Sequence, residues 1–162
     1  WVEIYNEIMS DEHVAKSHNR TLLLYHLVFP SKYRRSIFVP EVEETLRWVC
    51  LEIEKRYEIR FVEIGMEEGH VHMLVQGVPT MPVTRIVTII KSITAREIFK
   101  AHPRIKKDVL WGGNLWTSGY YANTVGMYAS KDTIKMYIQN QGKKEDSYKK
   151  LYESQPELDF GM

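Results

Sequence analysis

Gly69-His70-Val71-His72-Met73-Leu74-Val75-Gln76 is the stretch on which the fold turns. Val71, Met73 and Val75 alternate with His70, His72 and Leu74, the period-two pattern of a strand. Side chains on a strand alternate between faces, so His70 and His72 project the same way, one above the other. Upstream, Ile59 to Ile64 reads as a second strand, and Gly65-Met66-Glu67-Glu68-Gly69 as the turn that joins the two in a hairpin. Pro79 and Pro82 end the histidine-bearing strand.

Before the hairpin, Arg20 to Phe29 is rich in Leu, Tyr, Val and Phe and stops at Pro30, which predicts a first strand buried on both faces. Ser31-Lys32-Tyr33-Arg34-Arg35 follows as a basic loop. Pro40 opens a helix at the position where a missing N–H costs nothing. Glu41, Glu43 and Glu44 complement its positive end, and Val42, Leu46, Val49, Cys50 and Ile53 recur at helical spacing until about Tyr57.

After the hairpin a second helix is predicted from Val83 to Lys100, with Ile86, Ile89, Ile90, Ile93 and Phe99 inward and Lys91 and Arg96 outward. Val109 to Gly119 reads as a loop carrying Trp111, Gly112, Gly113 and Trp116, and Tyr120 to Val125 as a short strand. Ser130 suits the N-cap of a last helix and Gly142 its stop. The order is β-α-β-β-α-β and then a helix. It predicts an α+β fold: a ferredoxin-like, RRM-like antiparallel sheet with two helices on one face and an added C-terminal helix. Many functions share that fold, so it decides none of them. Residues 1–17 read as an N-terminal extension, 18–142 as one domain and 143–162 as a polar tail.

The 162 residues suffice for a substantial core, and 44% of them are hydrophobic. No apolar run approaches the ~20 residues of a membrane span, and the start lacks the layout of a secretory signal. Cys50 is the only cysteine, which excludes an intrachain disulfide and suits a cytoplasmic protein. The net charge of +1 is unevenly spread. Five bases and no acid lie between His13 and Pro40, and seven bases against Glu97 between Val83 and Lys107. Nine acids against four bases lie between Glu41 and Glu68. Such segregation suits one face that meets a polyanion, although solvated helix surfaces give the same pattern.

Two imidazoles one above the other can share a divalent metal ion. Tyr137 and Gln141 lie four apart in the predicted last helix, which brings them to one face, about 5–6 Å apart at Cβ. A phenol beside an amide oxygen able to reach the same metal is an arrangement for attacking a phosphodiester. Neither half is specific alone.

Several ordered motifs together resemble the single-tyrosine HUH transposases of small bacterial and archaeal insertion sequences. Tyr25-His26-Leu27-Val28-Phe29 with Lys32-Tyr33-Arg34-Arg35 is similar to that family's opening strand and basic loop. Gly69-His70-Val71-His72 resembles its histidine–hydrophobe–histidine motif, although Gly69 stands where the family often has Asp. Leu115-Trp116-Thr117-Ser118-Gly119-Tyr120-Tyr121, with Thr124-Val125-Gly126, is similar to the segment before its last helix, and Tyr137-Ile138-Gln139-Asn140-Gln141 to its nucleophile helix. The resemblance runs from about Lys16 to Gln141 and makes residues 18–142 the catalytic domain.

It implies that Tyr137 is the nucleophile and that His70, His72 and Gln141 hold Mg²⁺ or Mn²⁺. It implies single-stranded DNA with hairpin ends as the substrate, and a prokaryotic homodimer in which Tyr137 serves its own or its partner's site. Cleavage would leave a 5′-phosphotyrosine and a free 3′-hydroxyl, with the bond energy kept for rejoining. A phenol of pKa ≈ 10 needs such a metal to act near neutral pH.

Lys32, Arg34, Arg35, Lys91 and Arg96 are the expected DNA contacts. Tyr120, Tyr121 and Tyr128 are rival nucleophiles, of which Tyr120 and Tyr121 are expected to pack in the sheet. His26 reads as a core histidine, and Trp111 and Trp116 either stack on bases or pack in a core or dimer. Three other readings compete. A metal-free phosphoesterase on a similar sheet would need a second His-x-Thr or His-x-Ser, which the chain lacks. A non-catalytic ferredoxin-like nucleic-acid-binding module explains the basic segments but gives His70, His72, Tyr137 and Gln141 no common role. A domesticated relative of the transposases would keep the fold.

Overall fold

A computed structural model describes residues 13–125. Tyr128, the expected last helix with Tyr137 and Gln141, its ends at Ser130 and Gly142, and the polar tail lie outside the described residues, as do residues 1–12 of the extension.

The main sheet is built from β3 (Leu23–Pro30), β4 (Arg60–Glu67), β5 (His70–Gly77) and β6 (Tyr121–Thr124), in the order β4-β5-β3-β6, with every neighbouring pair antiparallel. Helix α1 (Pro40–Arg56) joins β3 to β4, and α2 (Val83–Ala101) joins β5 to the segment before β6. This is the expected β-α-β-β-α-β order. One apolar core takes Leu27 and Phe29 from β3, Val71, Met73 and Val75 from β5, Ile64 from β4, and the buried stripes of both helices. The helices therefore cover one face of the sheet. Leu24 and Leu74, one position out of phase with that core, form a separate small cluster with Leu22, Val62 and Val125 on the other face.

The helices follow the sequence closely. Pro40 is the first residue of α1, Glu41 and Glu43 lie in its first turn, and its buried residues are Val42, Leu46, Val49, Cys50 and Ile53. In α2 the buried set is Ile86, Val87, Ile89, Ile90, Thr94 and Ile98, with Ile93 and Phe99 packed at its margin.

The expected first strand is two pieces. Arg20–Thr21 (β2) pairs with Val14–Ala15 (β1) across a tight turn closed by the Lys16 N–H on the Asn19 carbonyl, and only Leu23 onward enters the main sheet. The end of the expected extension is thus joined to the domain, and Lys16 pairs with Glu58.

The expected five-residue turn at Gly65–Gly69 is also corrected. The ladder continues through Gly65, opposite His72, and Glu67, opposite His70, so only Glu68 and Gly69 turn. A two-residue hairpin lets cross-strand pairing run to the strand ends, and a strand tolerates Gly65 at the cost of some packing. A register shift between Phe61 and Glu63 inserts one extra residue in β4, so Phe61 and Ile64, three apart, both reach the helix-side core.

The connection from α2 to β6 holds a short π-helical turn (Ile105–Val109) and then an irregular run across the end of the sheet. There Trp116 is 4% exposed, stacked on Phe38 at 5.7 Å, and its indole N–H donates to Thr94 Oγ1 at 3.0 Å. Trp116 is a core residue. Tyr120 was expected inside the sheet; it precedes β6 and is exposed, because pairing with β3 begins at Tyr121.

Candidate metal and nucleic-acid site

The face of the sheet away from the helices carries the polar residues. Alternation in β5 sends His70, His72, Leu74 and Gln76 to it, and the register sets their neighbours. Glu67 lies across from His70, Gly65 and Val28 flank His72, and His26 lies beside Leu74 and opposite Asn123. One layer of the sheet thus gathers a carboxylate and three imidazoles.

Glu67 Oε2 lies 3.1 Å from His70 Nε2, and Glu67 Oε1 lies 3.8 Å from His72 Nε2. The His70 and His72 rings are 4.8 Å apart between centroids. Glu67, His70 and His72 each bring one donor atom to within 4.8 Å of the others, the arrangement a single cation could bridge. His72 is 1% exposed, yet its Nε2 has no hydrogen-bond partner among the described residues. A buried nitrogen lone pair without a partner is costly, and here it faces a carboxylate and a second imidazole. Two nitrogens and one hard oxygen suit a divalent ion such as Mn²⁺.

His26 stands behind His72. Its Nε2 is 3.2 Å from His72 Nδ1, and the rings stack at 5.4 Å and 19°. Burial lowers the His72 pKa to about 3, with His26 and His70 adding repulsion, and burial alone lowers that of His26 to about 4. Both rings are therefore neutral near pH 7, and His72 can ligate without first losing a proton. Tyr121 meets His26 edge-on at 6.1 Å.

The basic loop is locked to the same end of the sheet. Ser31 is fully buried; its N–H donates to the Gly69 carbonyl at 2.9 Å, and its hydroxyl reaches the Gly69 and Arg35 carbonyls at 3.0 and 2.8 Å. A Cβ on residue 69 would lie 3.0 Å from the Arg34 carbonyl oxygen. Glycine at 69 is what lets this loop lie against the hairpin turn. An aspartate there would press on that backbone, and in this chain the nearby carboxylate comes from Glu67 instead. Arg34 and Arg35 are exposed and Lys32 half-buried.

The other two expected DNA contacts lie elsewhere. Lys91 was expected to face outward. Its ammonium instead donates to the carbonyls of Thr117, Ser118 and Gly119 at 2.6, 3.2 and 3.1 Å, fastening the approach to β6, and burial lowers its pKa. Arg96 is exposed, paired with Glu97 at 2.9 Å, and lines a groove between α1 and α2 with Trp48, Arg56 and Lys100. That groove belongs to the helical layer, across the sheet from His72. Tyr137 and Gln141 lie outside the described residues.

Glu67 was missed from the sequence. The signal was its three-residue separation from His70 across a two-residue turn, which reads as a cross-strand pair only once Gly65–Glu67 is known to be strand.

Comparison with known proteins identifies the family. Residues 19–141 match the family of IS200-like transposases. The chain is 33% identical over 123 residues to the ISDra2 transposase TnpA of Deinococcus radiodurans, covering 76% of this chain and 86% of that protein. It is 29% identical over 133 residues to the transposase for insertion sequence element IS200 of Salmonella typhimurium, covering 82% and 85%. Among solved structures, a Deinococcus radiodurans chain assigned as a transposase superposes with a TM-score of 0.64 at 30% identity, covering 79% of this chain and 97% of that one. The fold is also that of a REP-associated tyrosine transposase bound to a REP hairpin, with a TM-score of 0.53 at 11% identity over 76% of this chain and 70% of that one. The family match spans most of the chain, including both histidines and the positions of Tyr137 and Gln141, and this chain belongs to the IS200-like transposases.

Proposed function

We propose that this transposase cuts and rejoins single-stranded DNA through a covalent link to Tyr137, with a divalent ion held by His70, His72 and Glu67 together with Gln141. The observation that carries the metal reading is the convergence of Glu67, His70 and His72 donor atoms, one of them a buried nitrogen with no partner among the described residues. A divalent ion bound there supplies Lewis-acid polarisation of the scissile phosphate.

The protein's own groups do the rest. The Tyr137 oxygen attacks phosphorus, the P–O bond to the 3′ oxygen breaks, and the products are a 5′-phosphotyrosine and a free 3′-hydroxyl. Attack of a 3′-hydroxyl on that phosphotyrosine rejoins a strand and returns the phenol, so no nucleotide cofactor is consumed. His26 works through His72. For His72 Nε2 to offer its lone pair, Nδ1 must carry the proton and donate it to His26 Nε2, and the 3.2 Å contact accommodates that tautomer. Lys32, Arg34 and Arg35, at the His70 end of the sheet, contact phosphates and supply affinity without sequence choice. Arg96 is a more distant backbone contact, and Lys91 acts by positioning residues 117–119. The substrate is the hairpin-bearing end of an insertion element, in keeping with the hairpin bound by the fold neighbour. The working form in this reading is a homodimer.

Covalent capture tests this. Protein mixed with single-stranded oligonucleotides spanning the element's ends, with Mn²⁺, should give an adduct on a denaturing gel that needs metal and vanishes in Tyr137→Phe. An adduct that survives Tyr137→Phe would move the nucleophile elsewhere. No adduct with DNA binding intact would favour a binding module.

A further inference from the structure

Outside the histidine cluster, the least economical feature of the described residues is a pair of exposed aromatics. Tyr33 and Trp111 are 60% and 68% exposed, and neither belongs to the apolar core. Both have backbone in the left-handed region that non-glycine residues avoid: Tyr33 at φ 60°, its neighbour Arg34 at φ 49°, and Trp111 at φ 48°. Two strained backbones on separate connections thus bring two large rings together in solvent, 6.1 Å apart and tilted by 48°. Packing does not explain this, since the same connection buries Trp116 completely enough to serve the core.

Each ring carries a cation. The Lys32 ammonium lies 5.2 Å from the Tyr33 centroid, and the Arg35 guanidinium lies 4.8 Å from that of Trp111. The two connections are tied together by the Lys32 N–H on the Leu115 carbonyl at 2.7 Å. The first of them is locked to the Gly69 turn through Ser31, next to His70. Aromatic faces flanked by cations, with no acid in Ser31–Arg35, match a strand of unpaired bases on a phosphate backbone better than an apolar partner.

We propose that Tyr33 and Trp111 form a base-stacking platform that takes unpaired nucleotides of the DNA strand beside the Glu67–His70–His72 site, with Lys32 and Arg35 on the adjoining phosphates. The inference rests on the single-stranded substrate proposed above. A stacking platform holds the strand by flat faces that every base possesses, so it sets the register of the strand without reading its sequence.

The experiment is equilibrium binding of single-stranded element-end oligonucleotides by fluorescence anisotropy with EDTA present, so that cleavage does not intervene. The protein set is wild type, Trp111→Ala, Trp111→Phe, Tyr33→Ala and Arg35→Ala, and the oligonucleotides carry one abasic position moved along the strand. Trp111→Ala should weaken binding about 5- to 150-fold, the range of one lost base–aromatic stack, with the salt dependence unchanged. Trp111→Phe should recover most of it. Arg35→Ala should instead flatten the salt dependence, by about 0.7 in slope for one phosphate on a single strand. An abasic position that weakens wild type should have no further effect in Trp111→Ala. Should Trp111→Ala prove unfolded, Tyr33→Ala with the abasic scan carries the same comparison, with the same expected loss.

Wild-type affinity in Trp111→Ala and Tyr33→Ala, with no abasic position coupled to either ring, would overturn the platform and leave the substrate reading intact. Loss of dimer by sedimentation in Trp111→Ala would overturn it in favour of a protein interface. Failure of wild type to bind any single strand would remove the substrate reading, and the platform with it.

Discussion

Strand β5 lays two chemistries on alternate residues. Val71, Met73 and Val75 point to the helices and are wholly buried in the apolar core. His70 and His72 point to the opposite face, beside Glu67 and His26. His72 is almost as deeply buried as Met73, so burial alone does not separate the two faces. What separates them is satisfaction. On the helix face every removed contact with water is replaced by a carbon contact, which stabilises the fold. On the other face a buried nitrogen keeps no hydrogen-bond partner among the described residues, which costs stability unless a ligand recovers it. The first face accounts for folding, and the second for what the folded chain does.

The sharpest way to break that contrast is to empty one site on each face. Met73→Ala should cost about 2–5 kcal/mol in urea unfolding, a core truncation with little room to relax. It should leave the Mn²⁺-induced rise in melting temperature unchanged. His72→Leu should cost less, because it removes the unsatisfied Nε2 while giving up only the 3.2 Å contact with His26. It should abolish the Mn²⁺ effect. Comparable losses of stability in the two variants would show that His72 belongs to the packing after all.

Acid gives a second contrast. His26 and His72 titrate at about 6.5 when unfolded but at about 4 and about 3 in the fold. Their folded pKa values are depressed, so the associated stability is complete above pH 6.5. As pH falls below that value the unfolded chain takes protons that the native chain refuses. Each histidine then removes up to about 1.4 kcal/mol per pH unit until its folded pKa is reached. Melting temperature in EDTA should drop between pH 6.5 and 4, and His26→Leu should shallow the slope. An unaltered slope in His26→Leu would mean that the buried pair does not control acid stability.

The sequence was most legible where one physical rule dominates. Helical spacing identified every buried residue of α1, and Pro40 marked its first residue, because an amphipathic stripe is a redundant signal. The alternation of β5 put both histidines on one face for the same reason. Misreadings came where a local cue competed with a contact distant in sequence. Gly65 looked like a turn residue but is carried by a ladder that continues to Glu67. Lys91 sits at an outward helical position, yet carbonyls 26 to 28 residues away turn its ammonium inward. Tyr33 and Trp111 gave no joint signal, since only the folded connections bring them together. Glu67 was hidden by the misplaced turn, and it is the residue on which the metal reading gains most from the structure.

Glu67→Gln is therefore the finest test of the second face. The change keeps the side chain's size and its place opposite His70 but removes the anionic donor. Metal that binds only the folded state raises stability by about 2.7 kcal/mol at a concentration 100 times its Kd, and a tenfold weaker site loses about 1.4 kcal/mol of that. Mn²⁺ titration followed by melting temperature and by the loss of the free-ion electron paramagnetic resonance signal should show weakening of at least tenfold in Glu67→Gln. Glu68→Gln, one residue on in the turn, should bind as wild type does, because Glu68 is no part of the donor cluster. His70→Ala sets the scale for a lost ligand. If His70→Ala loses the metal while Glu67→Gln keeps wild-type affinity, the carboxylate only orients His70 through their 3.1 Å contact. The cation would then rest on the two imidazoles and whatever Gln141 adds.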